Sequence, residues 1–185
     1  MKVVSVVGMA GAGKSEVAKV FEEHGFRRVR FGDITDEEVK KRRLPLNEAN
    51  ERYVRELLRK EHGMSAYAKL NLPRIDEARR KSHVVVDGLY SWEEFICLKD
   101  YYREDFYLIA VCASPETRYN RLTKRAVRPL SPEDAKSRDK SEIENLNKGG
   151  PIAMADFTFV NEASLKDLRK RVKEVIVRDI CGDSK

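Results

Sequence analysis

The sequence predicts a three-layer α/β domain on a parallel five-stranded sheet, and three observations predict it. Short β-branched runs alternate with amphipathic segments along the whole chain, the pattern of strands buried on both faces and joined by crossover helices. The first run passes directly into a glycine-rich turn that opens a helix. Gly13, Asp33 and Asp87 all fall at or just past the ends of strand-like runs, where ligands bind in open parallel sheets.

Each element follows from local chemistry. Val3 to Val7 is an almost unbroken β-branched run and reads as the first strand. Lys14 to His24 places Val17, Ala18, Val20 and Phe21 on one helical face, and Gly25 supplies the stop. Phe26 to Phe31 is a second short strand. Thr35 with Glu38 three residues on predicts a capping box for the next helix. Asn47 to Lys81 is helical, with Gly63 ending one helix and Pro73 expected to kink or divide the next. His83 to Asp87 is a third strand, and Ser91 with Glu94 forms another capping box. Phe106 to Cys112 is the fourth strand, and helices begin at Ser114-Pro115 and Ser131-Pro132. Phe157 to Val160 is the fifth strand, and Leu165 to Ile180 closes the chain as a helix with Leu168, Val172, Val175 and Ile176 along one side.

The 185 residues fit a single domain, with acceptor-region helices over about 35–81 and a lid over about 118–150. Cys97, Cys112 and Cys181 lie far apart with no C-x-x-C pair. That spacing suggests neither a disulfide framework nor a zinc site and fits a reducing cytosol. No apolar run reaches the length of a membrane helix, so a cytoplasmic protein is expected. With 37 Lys and Arg against 31 Asp and Glu, the net charge of +6 favours anionic partners; it admits nucleic acid without favouring it.

Gly8-Met9-Ala10-Gly11-Ala12-Gly13-Lys14-Ser15 matches the phosphate-binding loop G-x-x-x-x-G-K-[ST] without departure, between a buried strand and an amphipathic helix. Glycines let the backbone wrap a polyphosphate, and the following helix points its positive end at the same anion. Lys14 is expected at the β- and γ-phosphates of ATP, and Ser15 on magnesium. A nicotinamide-binding loop is disfavoured, because Gly8, Gly11 and Gly13 lack the G-x-G-x-x-G spacing.

Asp87, after Val84-Val85-Val86, stands where P-loop proteins place the carboxylate that steadies magnesium; an Asp-Gly turn is the plainer alternative. Asp33 is expected either to orient an acceptor hydroxyl and take its proton or to sit beside the Thr35 cap. Arg118, Arg121, Arg125 and Arg128 are spaced to share one face of a continuing helix. They read as a solvated basic face or as a lid closing on phosphate; Arg121 and Arg125 are its expected catalytic members. Arg52, Arg55 and Arg74 are weaker candidates for an acceptor's anionic group. His24, His62 and His83 are scattered, and no Ser-His-Asp or Cys-His arrangement is visible.

Taken together, Gly8 to Ser15, Phe31-Gly32-Asp33, Val86-Asp87-Gly88, Ser114-Pro115-Glu116-Thr117 with Arg121-Leu122, and Ala155-Asp156-Phe157 with Asn161 resemble a P-loop kinase-like family of archaea. That family is related to adenylate kinase and similar in layout to dephospho-coenzyme A kinase. The resemblance implies a P-loop NTPase fold of the nucleotide-kinase type, with a helical acceptor region and a lid. It also implies that Arg121 meets the phosphates and that Ala155 to Asn161 lies near adenine. Nucleoside monophosphate kinases follow the Asp-Gly with an aromatic or aliphatic residue and then Pro-Arg, whereas Leu89, Tyr90 and Ser91 stand here. The departure leaves dephospho-coenzyme A, or another small alcohol or phosphate, open as acceptor. A shikimate-kinase likeness, prompted by Met9 to Ser15, lacks a second glycine cluster near Asp87.

The expected activity is transfer of the γ-phosphoryl group of ATP, with Mg²⁺, to a nucleotide-like or coenzyme-precursor small molecule. The alternative is a regulatory ATPase in which Arg27-Arg28-Val29-Arg30 and Lys40-Lys41-Arg42-Arg43 bind RNA or a protein partner. A signalling GTPase is disfavoured, because Asn147-Lys148-Gly149-Gly150 lacks the acid of an N-K-x-D segment.

Overall fold

A computed structural model describes residues 1–182. Val3–Val7 (β1), Arg27–Arg30 (β2), Val84–Asp87 (β3), Phe106–Cys112 (β4) and Phe157–Val160 (β5) form one sheet in the order β2-β3-β1-β4-β5. Every pairing is parallel, with Val3 opposite both Val84 and Phe106. β1 is therefore flanked on both sides, which is why all five of its residues are buried and why β-branched side chains suit it.

The two-residue period of β1 splits the core. Val3 and Val7 join Phe31, Tyr67, Phe95 and Leu108 on one face, under Asp33–Lys41 (α2), Glu48–His62 (α3), Ala66–Arg79 (α4) and Trp92–Tyr102 (α5). Val4 and Val6 join Val17, Phe21, Ile109, Leu168 and Val172 on the other, under Lys14–Glu23 (α1) and Leu165–Val175 (α9). Pro115–Thr123 (α6), Pro132–Glu144 (α7) and Gly149–Ala153 (α8) lie between β4 and β5 in the chain. A small apolar cluster of Ala10, Leu122, Leu130 and Ala135 ties α6, α7 and the segment between them to the glycine-rich loop. Among the described residues, no helix is long and apolar enough to cross a membrane.

Three local expectations are corrected. α2 begins at Asp33 with Gly32 as its cap residue, so Thr35 caps nothing; its buried hydroxyl pairs with the Tyr67 hydroxyl at 2.6 Å instead. Pro73 lies inside α4 without dividing it; burial of Ala66, Tyr67, Ala68, Asn71 and Ile75 on both sides of it holds the helix together. The arginine row does not ride one helix: α6 stops at Thr123, and Arg128 has a left-handed backbone at φ 57. The Ser91–Glu94 capping box forms with both of its hydrogen bonds, and the closing helix ends in a π turn over Ile176–Ile180.

Candidate active site

The loop between β1 and α1 is shaped by two glycines above all. At Gly8 an added Cβ would stand 2.2 Å from the Val111 carbonyl oxygen, so only hydrogen fits beside β4. Gly13 has φ +106, and a Cβ there would lie 2.3 Å from the Asn161 side-chain amide. α1 starts at Lys14 with no side-chain cap; its first amides are left for a ligand, and the helix dipole favours an anion. Three successive loop carbonyls are held by side chains from elsewhere. Arg118 donates to Ala10 O at 3.2 Å, Arg121 to Gly11 O at 3.5 Å, and the Asn161 amide to Ala12 O at 2.8 Å. Committing carbonyls to outside partners suits a loop whose N–H groups serve an anion.

Lys14 Nζ donates to Gly8 O at 2.8 Å and Met9 O at 3.0 Å. Burial first, and then the nearby ammonium of Lys148, lower its pKa to about 7, against the raising influence of Glu142 and Asp87. The Ser15 hydroxyl donates to Asp87 Oδ2 at 3.2 Å. The same carboxylate oxygen accepts from Arg28 on the neighbouring strand, and Asp87 is 5% exposed. Ser15 and Asp87 are thus placed together as oxygen donors for a hard cation. Among the described residues, no three His, Cys, Asp or Glu side chains cluster as a metal cage.

These groups open onto a cavity of about 360 Å³ whose far walls are Arg30, Tyr90, Arg121, Arg125, Arg138, Glu142 and Lys148. Glu142 accepts from Lys148 at 2.8 Å and from Arg138 at 3.1 Å. Its carboxyl is held below the ordinary range by those two cations, which overcome the opposing effect of burial. Arg125 has no ion-pair partner among the described residues. The cavity is therefore lined by cations from the loop and from the segment between α6 and α8, a charge arrangement that suits a polyphosphate.

The expected residues distribute unevenly. Lys14, Ser15, Asp87, Arg121 and Arg125 share the cavity. Arg121 also donates to the Asn161 backbone oxygen at 2.9 Å, which links α6 to the end of β5. Arg118 is buried, donates two parallel hydrogen bonds to the Asp139 carboxylate at 2.9 and 2.6 Å, and braces the loop from behind. Arg128 pairs with Asp36 and Glu51. Asp33 accepts from Arg30 at 2.8 Å and lines a separate cavity with Arg27 and Arg74; Asp36, which shares Arg30 at 3.0 Å, faces the site side. Arg74 is engaged with Glu37. In the basic segment expected to face a partner, Arg28 donates to Asp87 and Arg30 to Asp33 and Asp36, while all three arginines, Arg27 most of all, keep some exposed surface.

Sequence reasoning missed Lys148, Arg138, Glu142 and Arg28. Lys148 stood in the Asn147-Lys148-Gly149-Gly150 segment weighed only for guanine recognition, and it is 1% exposed. A lysine followed by two glycines after a helix is the available signal; nothing local marks Glu142 as its buried partner.

Two further cavities adjoin. One of about 600 Å³ lies between α2, α3 and residues 125–130, lined by Thr35, Asp36, Glu51 and Arg128. It shares Arg30, Tyr90, Arg125 and Arg138 with the phosphate cavity. The other, about 330 Å³, lies between α3 and α7. Tyr90, from the segment that replaces Pro-Arg, is a wall of all three.

A family model described as an AAA domain matches residues 4–147, from β1 through α7. The UPF0200 protein of Thermococcus onnurineus is 37% identical over 178 residues, covering 94% of this chain and 96% of its own length. The UPF0200 protein of Methanoculleus marisnigri is 34% identical over 180 residues, covering 96% of this chain and 97% of its own.

The chain belongs to the UPF0200 family.

Among solved structures, a shikimate kinase from Bacteroides thetaiotaomicron superposes with a TM-score of 0.60 at 12% identity, covering 95% of this chain and 98% of its own. A gluconokinase from Sinorhizobium meliloti superposes at 0.57 and 13% identity, covering 92% and 89%. At such identities the likeness establishes the P-loop kinase fold and nothing finer.

Proposed function

We propose that this chain is an ATP-dependent phosphotransferase that moves the γ-phosphoryl group to a small nucleotide-like or coenzyme-precursor acceptor. The observation that carries the proposal is the arrangement of cavities. A cationic phosphate pocket shares Arg30, Tyr90, Arg125 and Arg138 with a second pocket large enough for another small molecule. Hydrolysis by water needs no second pocket; transfer between two bound molecules does.

In this reading the loop amides and Lys14 hold the β- and γ-phosphates. When bound, magnesium would be held by Ser15 and Asp87 and would offset the charge on the phosphate oxygens. Arg121 and Arg125 approach from the lid side and stabilise charge on the transferring group, with Arg138 beside them. Phosphoryl transfer calls for positioning and electrostatics and needs no protein nucleophile. Asp36, on the wall of the second pocket, is the carboxylate placed to orient the acceptor hydroxyl. Asp33 contributes through Arg30, which both acids share.

The test is a screen of acceptors, including AMP and dephospho-coenzyme A, with γ-labelled ATP. Label appearing on an acceptor, and lost in Lys14→Ala, is the expected result. Label released to water alone, and stimulated by RNA, would transfer the assignment to a regulatory ATPase. The engagement of Arg28 with Asp87 and of Arg30 with Asp33 and Asp36 weakens that alternative, since two cations of that segment are already paired.

A further inference from the structure

The segment after Asp87-Gly88 carries a side chain to which phosphoryl transfer has so far given no part. Tyr90 is a wall of the phosphate cavity and of the adjoining cavity of about 600 Å³, so it stands where the two meet. Three contacts fix its place. Its amide donates to Glu94 Oε2 at 2.8 Å, which ties it to the capped start of α5. Its ring packs edge-on against that of Tyr67, with centroids 5.3 Å apart, and lies 5.4 Å from Lys148 Nζ. Gly88, at φ +102, turns the chain back, and a Cβ added there would stand 3.5 Å from the Tyr90 hydroxyl. The hydroxyl therefore rests just past the carboxyl end of β3, against the glycine that follows Asp87, where ligands of parallel sheets bind.

That hydroxyl has no protein partner. The hydroxyls of Tyr67, Tyr102 and Tyr119 bond to Thr35, Asp76 and Asp139, whereas that of Tyr90 makes no hydrogen bond among the described residues. Nor is it sealed off: Tyr90 keeps some exposed surface, and its oxygen is not one of the fully buried atoms left without a partner. A ligand in the cavity can reach it. Burial above all pushes its pKa upward, so at neutral pH it keeps its proton and can donate. The other side-chain donors on that cavity are cations or, for Ser15, already bonded to Asp87. Cations offset the charge of a phosphoryl group, and a neutral hydroxyl adds a direction to its oxygens without adding charge.

We infer that the Tyr90 hydroxyl donates a hydrogen bond to the γ-phosphoryl group of the bound nucleotide at the boundary between the two cavities, and so orients that group toward the acceptor. The inference rests on the phosphotransferase reading and deepens it by a residue. It also gives a use to the departure from Pro-Arg after Asp87-Gly88: the segment supplies a neutral donor at the meeting point of the two pockets.

The experiment uses the full chain, isotope-labelled at Cζ of its seven tyrosines and assigned by NMR through the backbone. It is titrated with magnesium ADP and, separately, with magnesium AMP-PNP, which differ by the γ-phosphoryl group. The expected result is a saturating shift of the Tyr90 Cζ resonance with AMP-PNP that ADP does not produce, while Tyr67, its packing neighbour, responds alike to both. Tyr90→Phe keeps the ring and removes the hydroxyl. It should weaken AMP-PNP binding about tenfold, the low end for a hydrogen bond to a charged group, with ADP affinity held within about twofold; a purely structural tyrosine would lower both together. A Tyr90 resonance that AMP-PNP moves no further than ADP does, or equal losses for the two nucleotides in the variant, overturns the role of Tyr90 and leaves the phosphotransferase reading standing. Binding of neither nucleotide strikes that reading and the inference with it. The resonance needs no variant, so the test holds even where Tyr90→Phe does not fold.

Discussion

If Lys14 sits near neutrality in the free protein, nucleotide binding must take up a proton. Its ammonium is lowered from 10.5 to about 7 by burial and by Lys148, whereas a bound polyphosphate favours the charged form and returns the value toward the ordinary one. Between about pH 7 and that upper value the free loop has lost its proton and the complex has kept it. Affinity for magnesium ADP should therefore fall as pH rises, approaching tenfold per unit and about fiftyfold between pH 7 and 9. ADP is the better probe here because its own phosphate is fully ionised over most of that range. The stability contribution has the matching sign: across about 7 to 10.5 the unfolded chain binds more protons at this site than the folded one, so the Lys14 contribution improves with rising pH. Calorimetry in Tris and HEPES at about pH 8.5 separates proton uptake from intrinsic heat and should return close to one proton per chain. Lys14→Met should bind more weakly and with a flat pH profile. No proton uptake in the wild type, or an equal slope in Lys14→Met, would refute the electrostatic account of the loop.

Three other outcomes follow from the same geometry. Arg121→Ala should lower single-turnover rates by about 10³ or more, within the range for cationic groups that meet a transferring phosphoryl, while ATP affinity changes less than about tenfold; equal losses in both would make Arg121 a brace for Gly11 and Asn161 only. Glu142→Gln leaves Lys148 and Arg138 without their shared carboxylate and should cost about 3–5 kcal/mol in urea unfolding. Because the folded Glu142 carboxyl lies below the ordinary 4.5, its stabilisation is present above that value and is lost as pH falls through the folded one, so the variant should lack that acid limb; a loss under about 1 kcal/mol would count against the buried cluster. Gly13→Ala adds a Cβ 2.3 Å from the Asn161 amide at φ +106, and should lower the melting temperature and abolish detectable nucleotide binding in titration calorimetry. Normal binding by that variant would mean the loop can be rebuilt without its left-handed residue.

Much of the site was legible because it is local. The G-x-x-x-x-G-K-[ST] spacing, the β-branched run before it and the amphipathic face of α1 lie within some twenty consecutive residues, and hydrophobic periodicity located all five strands. Asp87 was legible for the same reason, as the acid that ends a buried strand. The arginines were not. Equal spacing on a sequence cannot tell whether a helix continues, and α6 ends at Thr123. Arg118 therefore became a buried brace, Arg121 a wall of the phosphate cavity, and Arg128 a partner of Asp36 and Glu51. Asp33 and Asp36 are one helical turn apart and equally acidic; only the direction in which α2 leaves β2 separates the cavities they line.

The sequence by itself determined the parallel sheet and the phosphate loop, since strand periodicity, glycine placement and helix caps act over a few bonds. Only the tertiary structure decided which charges work together. Lys148 and Glu142 on Lys14, and Arg28 on Asp87, come from segments tens of residues apart, and electrostatic coupling depends on distance and burial, which no linear spacing records.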